Sequence, residues 1–267
     1  MKTTHTVVQE GPDLWRFNEA QGERPYVDSY LLIGTERAVL IDALQSEQEV
    51  SLVDEVRSRT CLPVDVLLTH GHPDHAGAEV AKLASAEGFT VYMSHLDMPI
   101  YSGFSGGDIS NEKIHDIREG DIWDLGNMKL IAYQLAGHTP GSFVFVDFEG
   151  NRAFAGDVFG LWMQLPHSLP LTAYFEELKR FEEVIADTPE MVFYTGHLPQ
   201  SQNKPRSVSV CREMHELCQM IIDGTYEGEP VPVRSGSEND RMAELMKGAR
   251  SAKYNSVRMM YRPDRIK

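Results

Sequence analysis

The chain has 267 residues, 42% hydrophobic and 24% charged, the balance of an ordinary folded protein, which leaves out the disordered, fibrous and membrane-embedded classes. Its 25 basic against 40 acidic residues give a net charge of −15, a surface that repels polyanions, so nucleic acid is not expected as a partner. The N-terminal "MKTTHTVVQEGPDLWRF" lacks an apolar core of signal-peptide length and no later stretch is apolar for long enough to span a bilayer; no membrane partner and a cytoplasmic location are expected.

In chain order, "SYLLIG" (29–34) and "AVLIDAL" (38–44) read as antiparallel strands joined by a tight turn. "SEQEVSLVDEVRSRT" spaces Val50, Val53 and Val56 at helical intervals behind a Ser46 start signal. "VDVLLTH" (64–70) is a short apolar strand of the kind covered on both faces, and 76–87 reads as a helix ended by Gly88, with the strand "FTVYMS" beyond it. "YSGFSGGDISN" (101–111) is rich in Gly and Ser and is expected to be a mobile loop that could serve as a lid. Strands follow at 128–135, 143–147 and 152–156, a helix at 172–187 and a strand at 191–197. Beyond Pro199 the pattern is mainly helical, and 224–236 reads as a connection. The stretch 241–267 carries eight basic residues against Glu244 and Asp264 and is read as a solvated face. Cys61, Cys211 and Cys218 form an odd set without C-x-x-C spacing; reduced thiols are expected, with Cys211 and Cys218 as small buried hydrophobes on one helical face.

The chemistry concentrates in "LLTHGHPDHAG" (67–77), where His70, His72, Asp74 and His75 fall within six positions at the end of an apolar strand. In extended backbone, residues i and i+2 point to one side, so His70 and His72 can converge on one ion while the turn after Pro73 aims Asp74 and His75 at a neighbouring position. Burying that much unpaired polarity without a metal would cost several kcal/mol on the order of each group's desolvation. Imidazole nitrogen with carboxylate oxygen suits zinc, and iron or manganese as well, since no thiolate singles zinc out.

This run resembles the H-x-H-x-D-H signature of the metallo-β-lactamase superfamily, and the remaining pieces occur in order: His138 in "AGHTPGS", Asp157 in "FAGDVF" and His197 in "YTGHLP". The resemblance covers roughly residues 12 to 200 and implies an α/β fold, the four-layer αββα sandwich, as one domain over 1–200 with a helical C-terminal extension, 201–267, packed on it. It implies two divalent metal ions, zinc first: one held by His70, His72 and His138, the other by Asp74, His75 and His197, with Asp157 bridging and Asp42 of "LIDAL" orienting a ligand from beneath. A metal-bridging hydroxide would then attack a carbonyl carbon, and Asp74 would be the catalytic group that passes the proton on.

Branches of the superfamily differ at these positions. The bridging Asp157 disfavours the antibiotic-cleaving branches, which place other residues there, and His72 stands where flavodiiron proteins carry a glutamate. Glyoxalase II-like thioesterases keep the same seven ligands, but their glutathione-anchoring segments do not occur in "GDVFGLWMQLPHSLP". Nucleases of the superfamily need a basic approach that a charge of −15 argues against. The expected activity is therefore a dinuclear metal-dependent hydrolase of a carboxylic ester, thioester or lactone, with a mononuclear iron oxygenase of the persulfide dioxygenase type, or a metal-binding member without turnover, as the alternatives. The expected partner is a small molecule with an apolar portion, recognised among Tyr101, Phe104, Trp162, Met163, His167 and Tyr174, each of which could equally be packing; Gly103, Gly106 and Gly107 beside the first two, with "LWMQLPH" after Asp157, suggest a partly apolar pocket. The C-terminal extension could shape the pocket wall or form a homodimer contact. His5, His95, His115 and His215 fall outside the motif and read as surface or structural residues.

Overall fold

The first half of the chain builds one sheet whose strands lie side by side in chain order. Strands β1 (His5–Gln9), β2 (Leu14–Gln21), β3 (Arg24–Ile33) and β4 (Ala38–Ile41) form an antiparallel meander. Then β5 (Val64–Leu67), β6 (Phe89–Tyr92) and β7 (Ile114–His115) add in parallel, the crossovers carrying α1 (Leu52–Arg57), α2 (Val80–Leu83) and α3 (Met98–Ser105). The computed structural model describes residues 2–105, 113–232 and 245–267. Gly106, Gly107, the side chain of Phe104, Glu244 and Arg241, the first of the eight basic residues of 241–267, lie outside the described residues.

The second sheet draws on β8 (Ile122–Asp124), β9 (Lys129–Gln134), β10 (Phe143–Asp147) and β11 (Arg152–Phe154). After β12 (Leu161–Met163) and α4 (Leu171–Val184), the strands β13 (Val192–Tyr194) and β14 (Arg206–Ser207) complete it in the order β14-β13-β11-β10-β9-β8. Period-two alternation decides which side chains meet. Val39 and Ile41 of β4 face Phe143 and Phe145 of β10 in the core between the sheets, while Ala38 and Leu40 turn outward to Leu52, Val56, Val80 and Leu83. On the other flank Val144 and Val146 pack against Leu178 and Phe181 of α4 and Met214 and Leu217 of α5 (Ser209–Ile222). Helix, sheet, sheet, helix is thus the layering, as expected for the αββα sandwich.

Several expectations are corrected. Tyr101 to Ser105, expected to begin a loop, belong to α3, because Met98 and Tyr101 are buried against the first sheet and Pro99 sits in the first turn, where its missing N–H costs nothing. The helix expected from Ser46 begins only after Ser51, whose hydroxyl accepts from Asp54 N; the Gln45 and Ser46 amides are instead held by the Glu19 carboxylate. The helix expected over 76–87 is reduced to α2, since Gly77 is pressed against the Leu44 and Gln45 carbonyls and the Glu79 carboxylate is occupied by the Gln48 and Leu52 amides.

The extension after residue 200 is not simply helical. Besides α5 it contains β15 (Glu229–Pro230), β16 (Arg250–Tyr254) and β17 (Val257–Tyr261), and β17 pairs in parallel with β12 to make a small sheet, β12-β17-β16-β15. Asn255, at φ 48°, turns the hairpin between β16 and β17, which buries Ala252, Val257, Met259 and Tyr261 and leaves Lys253 and Arg258 in solvent. Charged residues at the outward positions concealed this alternation among the basic side chains.

Candidate metal centre

Every side chain of the motif lies just past the C-terminal end of a strand: Asp42 after β4, His70 to His75 after β5, His138 after β9, Asp157 after β11 and His197 after β13. Strand ends from both sheets therefore converge on one edge of the sandwich, where loops carry reactive groups on a rigid frame. Two close approaches require glycine: a Cβ on Gly196 would lie 2.1 Å from His75 Cε1, and one on Gly156, at φ 48°, 2.4 Å from Thr69 Oγ1.

Three clusters of ligand-type atoms result, each within 4.8 Å: His70, His72 and His138; His70, His75 and Asp157; Asp74, His75 and His197. All seven residues singled out in the sequence are thus brought together. Asp157 spans the groups, its Oδ1 lying 3.3 Å from both His75 Nε2 and His197 Nε2 and its Oδ2 3.5 Å from His138 Nε2. Asp74 Oδ2 lies 3.4 Å from His197 Nε2 and accepts a 2.9 Å hydrogen bond from the Tyr26 hydroxyl.

The outward hydrogen bonds fix which ring nitrogen faces the centre. His138 Nδ1 donates to the Met163 carbonyl at 2.9 Å and His197 Nδ1 to the Tyr26 carbonyl at 2.7 Å. His75 Nδ1 donates to Asp42 Oδ2 at 2.8 Å, and His70 Nδ1 to Thr69 Oγ1 at 3.1 Å, the threonine having committed its own proton to Asp42. With Nδ1 donating outward in each, all four rings turn Nε2 toward the centre. His72 is reversed: Nδ1 lies 3.0 Å from His138 Nε2, and Nε2 is 2.5 Å from His167 Nε2.

Inside the ring of residues, His70 Nε2, His75 Nε2 and Asp157 Oδ1 are buried with no hydrogen-bond partner. Unpartnered ligand-type atoms converging at such distances fit cation binding and would be costly without it. Electrostatics divides the centre in two. Burial, reinforced by neighbouring histidines, pushes His70 and His72 well below the usual imidazole range, and burial likewise lowers His138, so these three are neutral donors. On the other side burial also disfavours charge, but Asp157, Asp42 and Asp74 outweigh it at His75, whose pKa is raised, and Asp157 and Asp74 lift His197 to about 10. Burial similarly opposes ionisation of Asp157, yet His197 and His75 hold its carboxyl well below the ordinary range. Protons there occupy places a cation would take.

Asp42 supports a ligand as the resemblance implied: at φ 60° it accepts from Thr69 N at 2.7 Å as well as from His75. Sequence reasoning missed Asp97, fully buried, which accepts from Gly71 N at 2.8 Å, Thr139 Oγ1 at 2.6 Å and Gly141 N at 2.7 Å and so ties the loop of His70 to the loop of His138. It also missed Tyr26. Among the recognition candidates, Trp162 and Tyr174 are fully buried and stacked 4.6 Å apart in the core, which takes them out of any pocket, and Tyr101 is buried too. Met163 and His167 stay beside the centre; burial, with His138 and Arg265 nearby, lowers His167 to about 4.

The comparisons with known proteins bear on the family and the fold. The family model described as "Metallo-beta-lactamase superfamily" matches residues 22–197. The chain is 24% identical to a hydroxyacylglutathione hydrolase of Chelativorans sp. over 79% of its length and 80% of the relative's. It is 26% identical to another protein of that name from Bdellovibrio bacteriovorus, over 75% of this chain and 74% of that one. Among solved structures, a metallo-beta-lactamase from Pontibacter korlensis superposes with a TM-score of 0.64 at 17% identity, covering 81% of this chain and 99% of that one. One from Erythrobacter litoralis gives 0.58 at 18% identity, covering 80% and 96%. Fold, strand-end histidines and family model coincide, and the chain belongs to the metallo-beta-lactamase superfamily.

Proposed function

We propose that the protein is a metal-dependent hydrolase of acyl bonds, with two divalent cations held by His70, His72 and His138 on one side, Asp74, His75 and His197 on the other, and Asp157 between. The observation that carries this reading is the position of Asp157, whose two oxygens reach opposite halves of the centre at 3.3 Å and 3.5 Å. Zinc suits the nitrogen and oxygen donors, and iron or manganese would be accepted by the same set. Such ions, when bound, polarise a carbonyl oxygen and lower the pKa of water to roughly 7.

The chain's own contribution is orientation and proton handling. The side chain of Asp74 is 15% exposed, the most open of the carboxylates touching the centre, and the Tyr26 hydroxyl fixes its Oδ2. It is placed to take the proton from a water that adds to the carbonyl carbon and to return it to the departing oxygen or sulfur when the C–O or C–S bond breaks. Burial and the adjacent Asp74 charge raise the Tyr26 phenol, which keeps its proton and remains a donor. No serine or cysteine nucleophile is needed; Cys211 and Cys218 are buried in α5.

Among esters, lactones and thioesters, the two relatives named hydroxyacylglutathione hydrolase favour the thioester. A small molecule with an apolar portion and a cytoplasmic location complete the proposal; among the described residues no helix is long and apolar enough to cross a membrane. The test is metal analysis of the purified protein, followed by assay on a panel of esters, thioesters, lactones, phosphodiesters and β-lactams. Two ions per chain and acyl cleavage are expected. Phosphodiester cleavage alone would overturn the substrate class, and one iron with oxygen uptake on a thiol persulfide would move the protein to the oxygenases.

A further inference from the structure

We infer that the C-terminal strand and Arg265, which lie beyond the part of the chain matched by the family model, act as a clamp that positions the His70–His72–His138 half of the centre. This rests on the dinuclear reading above and adds to it. The segment between them and the ligands is 161–169, which follows Asp157 and contacts the centre at three points. Its Met163 carbonyl takes the Nδ1 proton of His138, its Ser168 hydroxyl donates to the His138 carbonyl at 2.6 Å, and its His167 ring meets His72. Leu169 N also donates to the carbonyl of Gly137, at 2.9 Å.

That segment is in turn held from the C-terminal side. β17 runs parallel to β12, setting Met259 beside Trp162 and Met260 beside Met163, and Gln164 N donates to the Met260 carbonyl at 2.8 Å. The Gln164 side chain is buried and paired at both ends: Oε1 accepts from Arg262 N at 2.9 Å, and Nε2 donates to the Leu169 carbonyl at 2.9 Å and the Arg265 carbonyl at 3.0 Å. The Arg265 guanidinium then donates to two carbonyls of the same segment, Leu165 at 2.5 Å and Ser168. One side chain thus grips both ends of the turn that presents His167 and Ser168. No comparable contact from the C-terminal strand reaches Asp74, His75 or His197 among the described hydrogen bonds, and segment 161–169 meets the His197 loop through Leu161 N on Gln200 Oε1 at 3.2 Å, at the end away from Arg265, so the effect falls on one half. Arg265 and Gln164 are positioning residues: they touch the supports of ligands, not the ligands.

The test is a competition titration of the metal-free protein with zinc and a chromophoric chelator, on wild type, Arg265→Ala and Arg265→Lys. Loss of a support beyond the ligands weakens a metal site by about 10–100-fold. The Arg265→Ala change is expected to weaken one of two ions by about 10-fold and leave the other unchanged. In a His197→Ala background that loss should persist, in a His138→Ala background it should vanish, and Arg265→Lys, retaining one donor, should recover part of it. Equal weakening of both ions, or none, overturns the inference. Should wild type take up no zinc, the metal reading itself falls. Hydrogen exchange at the Leu165 and Leu169 amides then still decides the clamp, faster exchange in Arg265→Ala supporting it and unchanged exchange refuting it.

Discussion

Asp42 sits in a left-handed conformation that few non-glycine residues adopt, at a cost of about 1–3 kcal/mol, and the surrounding hydrogen bonds account for its persistence. One oxygen takes the Thr69 amide and the other both the Thr69 hydroxyl and His75 Nδ1, so a single carboxylate sets the tautomers of His75 and His70. Replacing Asp42 with Asn keeps the volume and tolerates the backbone angle while removing the charge. Metal affinity is expected to fall about 10–100-fold with secondary structure retained, measured by chelator competition and circular dichroism; unchanged affinity would mean the histidines orient themselves. The sequence displayed the ligands because three imidazoles and a carboxylate crowd six positions. It concealed Asp97, Tyr26, Gln164 and Arg265, none of which belongs to a ligand motif and whose importance comes from what the fold lays against them. Trp162 and Tyr174 misled for the converse reason: an aromatic beside a metal motif looks the same whether it faces ligand or core.

At the scale of elements, the centre depends on loops that cannot shift independently. Asp97 joins two of them, and Gly196, after β13, lies against the His75 ring after β5. A methyl at Gly196 cannot be placed without displacing that ring, because the contact would be 2.1 Å. Overpacking of this kind costs typically about 1–3 kcal/mol. Gly196→Ala is therefore expected to lower the midpoint of thermal unfolding and to bind fewer ions than wild type by metal analysis; full occupancy would show that the strand ends yield more easily than their packing implies. Strands were legible where branched apolar runs were continuous, as in β4, β5 and β10. Helix α1 starts later than its periodicity suggested because Glu19 holds the Gln45 and Ser46 amides and Glu79 the Gln48 amide outside it, and α2 is short because Gly77 lies against the Leu44 and Gln45 carbonyls. The β16–β17 hairpin was hidden by basic residues on its solvent face.

For the molecule as a whole, the centre links stability to pH in opposite senses with and without metal. In the metal-free protein His75 and His197 bind protons more tightly than in the unfolded chain, whose histidines titrate near 6.5. Their stabilisation is fully present below that value and is lost as pH rises toward His197's folded pKa of about 10. A bound cation must displace those protons, so its affinity rises with pH across the same interval. The difference in unfolding temperature between zinc-loaded and chelator-treated protein is therefore expected to widen from about pH 7 to pH 9, as differential scanning calorimetry would record; a constant difference would place no protons on these rings. The family model ends at His197, yet the structure does not finish the centre there.

The parallel pairing of β12 with β17 has a consequence for biosynthesis. A ribosome releases a chain from its N-terminus onward, and sandwich halves can collapse as they emerge. Asp157 and every histidine of the motif are translated before residue 200, but the strand that locks Met163 and Gln164 in place comes some sixty positions later. The nascent polypeptide thus exposes its full complement of cation donors well before it can set one half of them rigidly, so durable capture of the first ion belongs to the closing moments of synthesis.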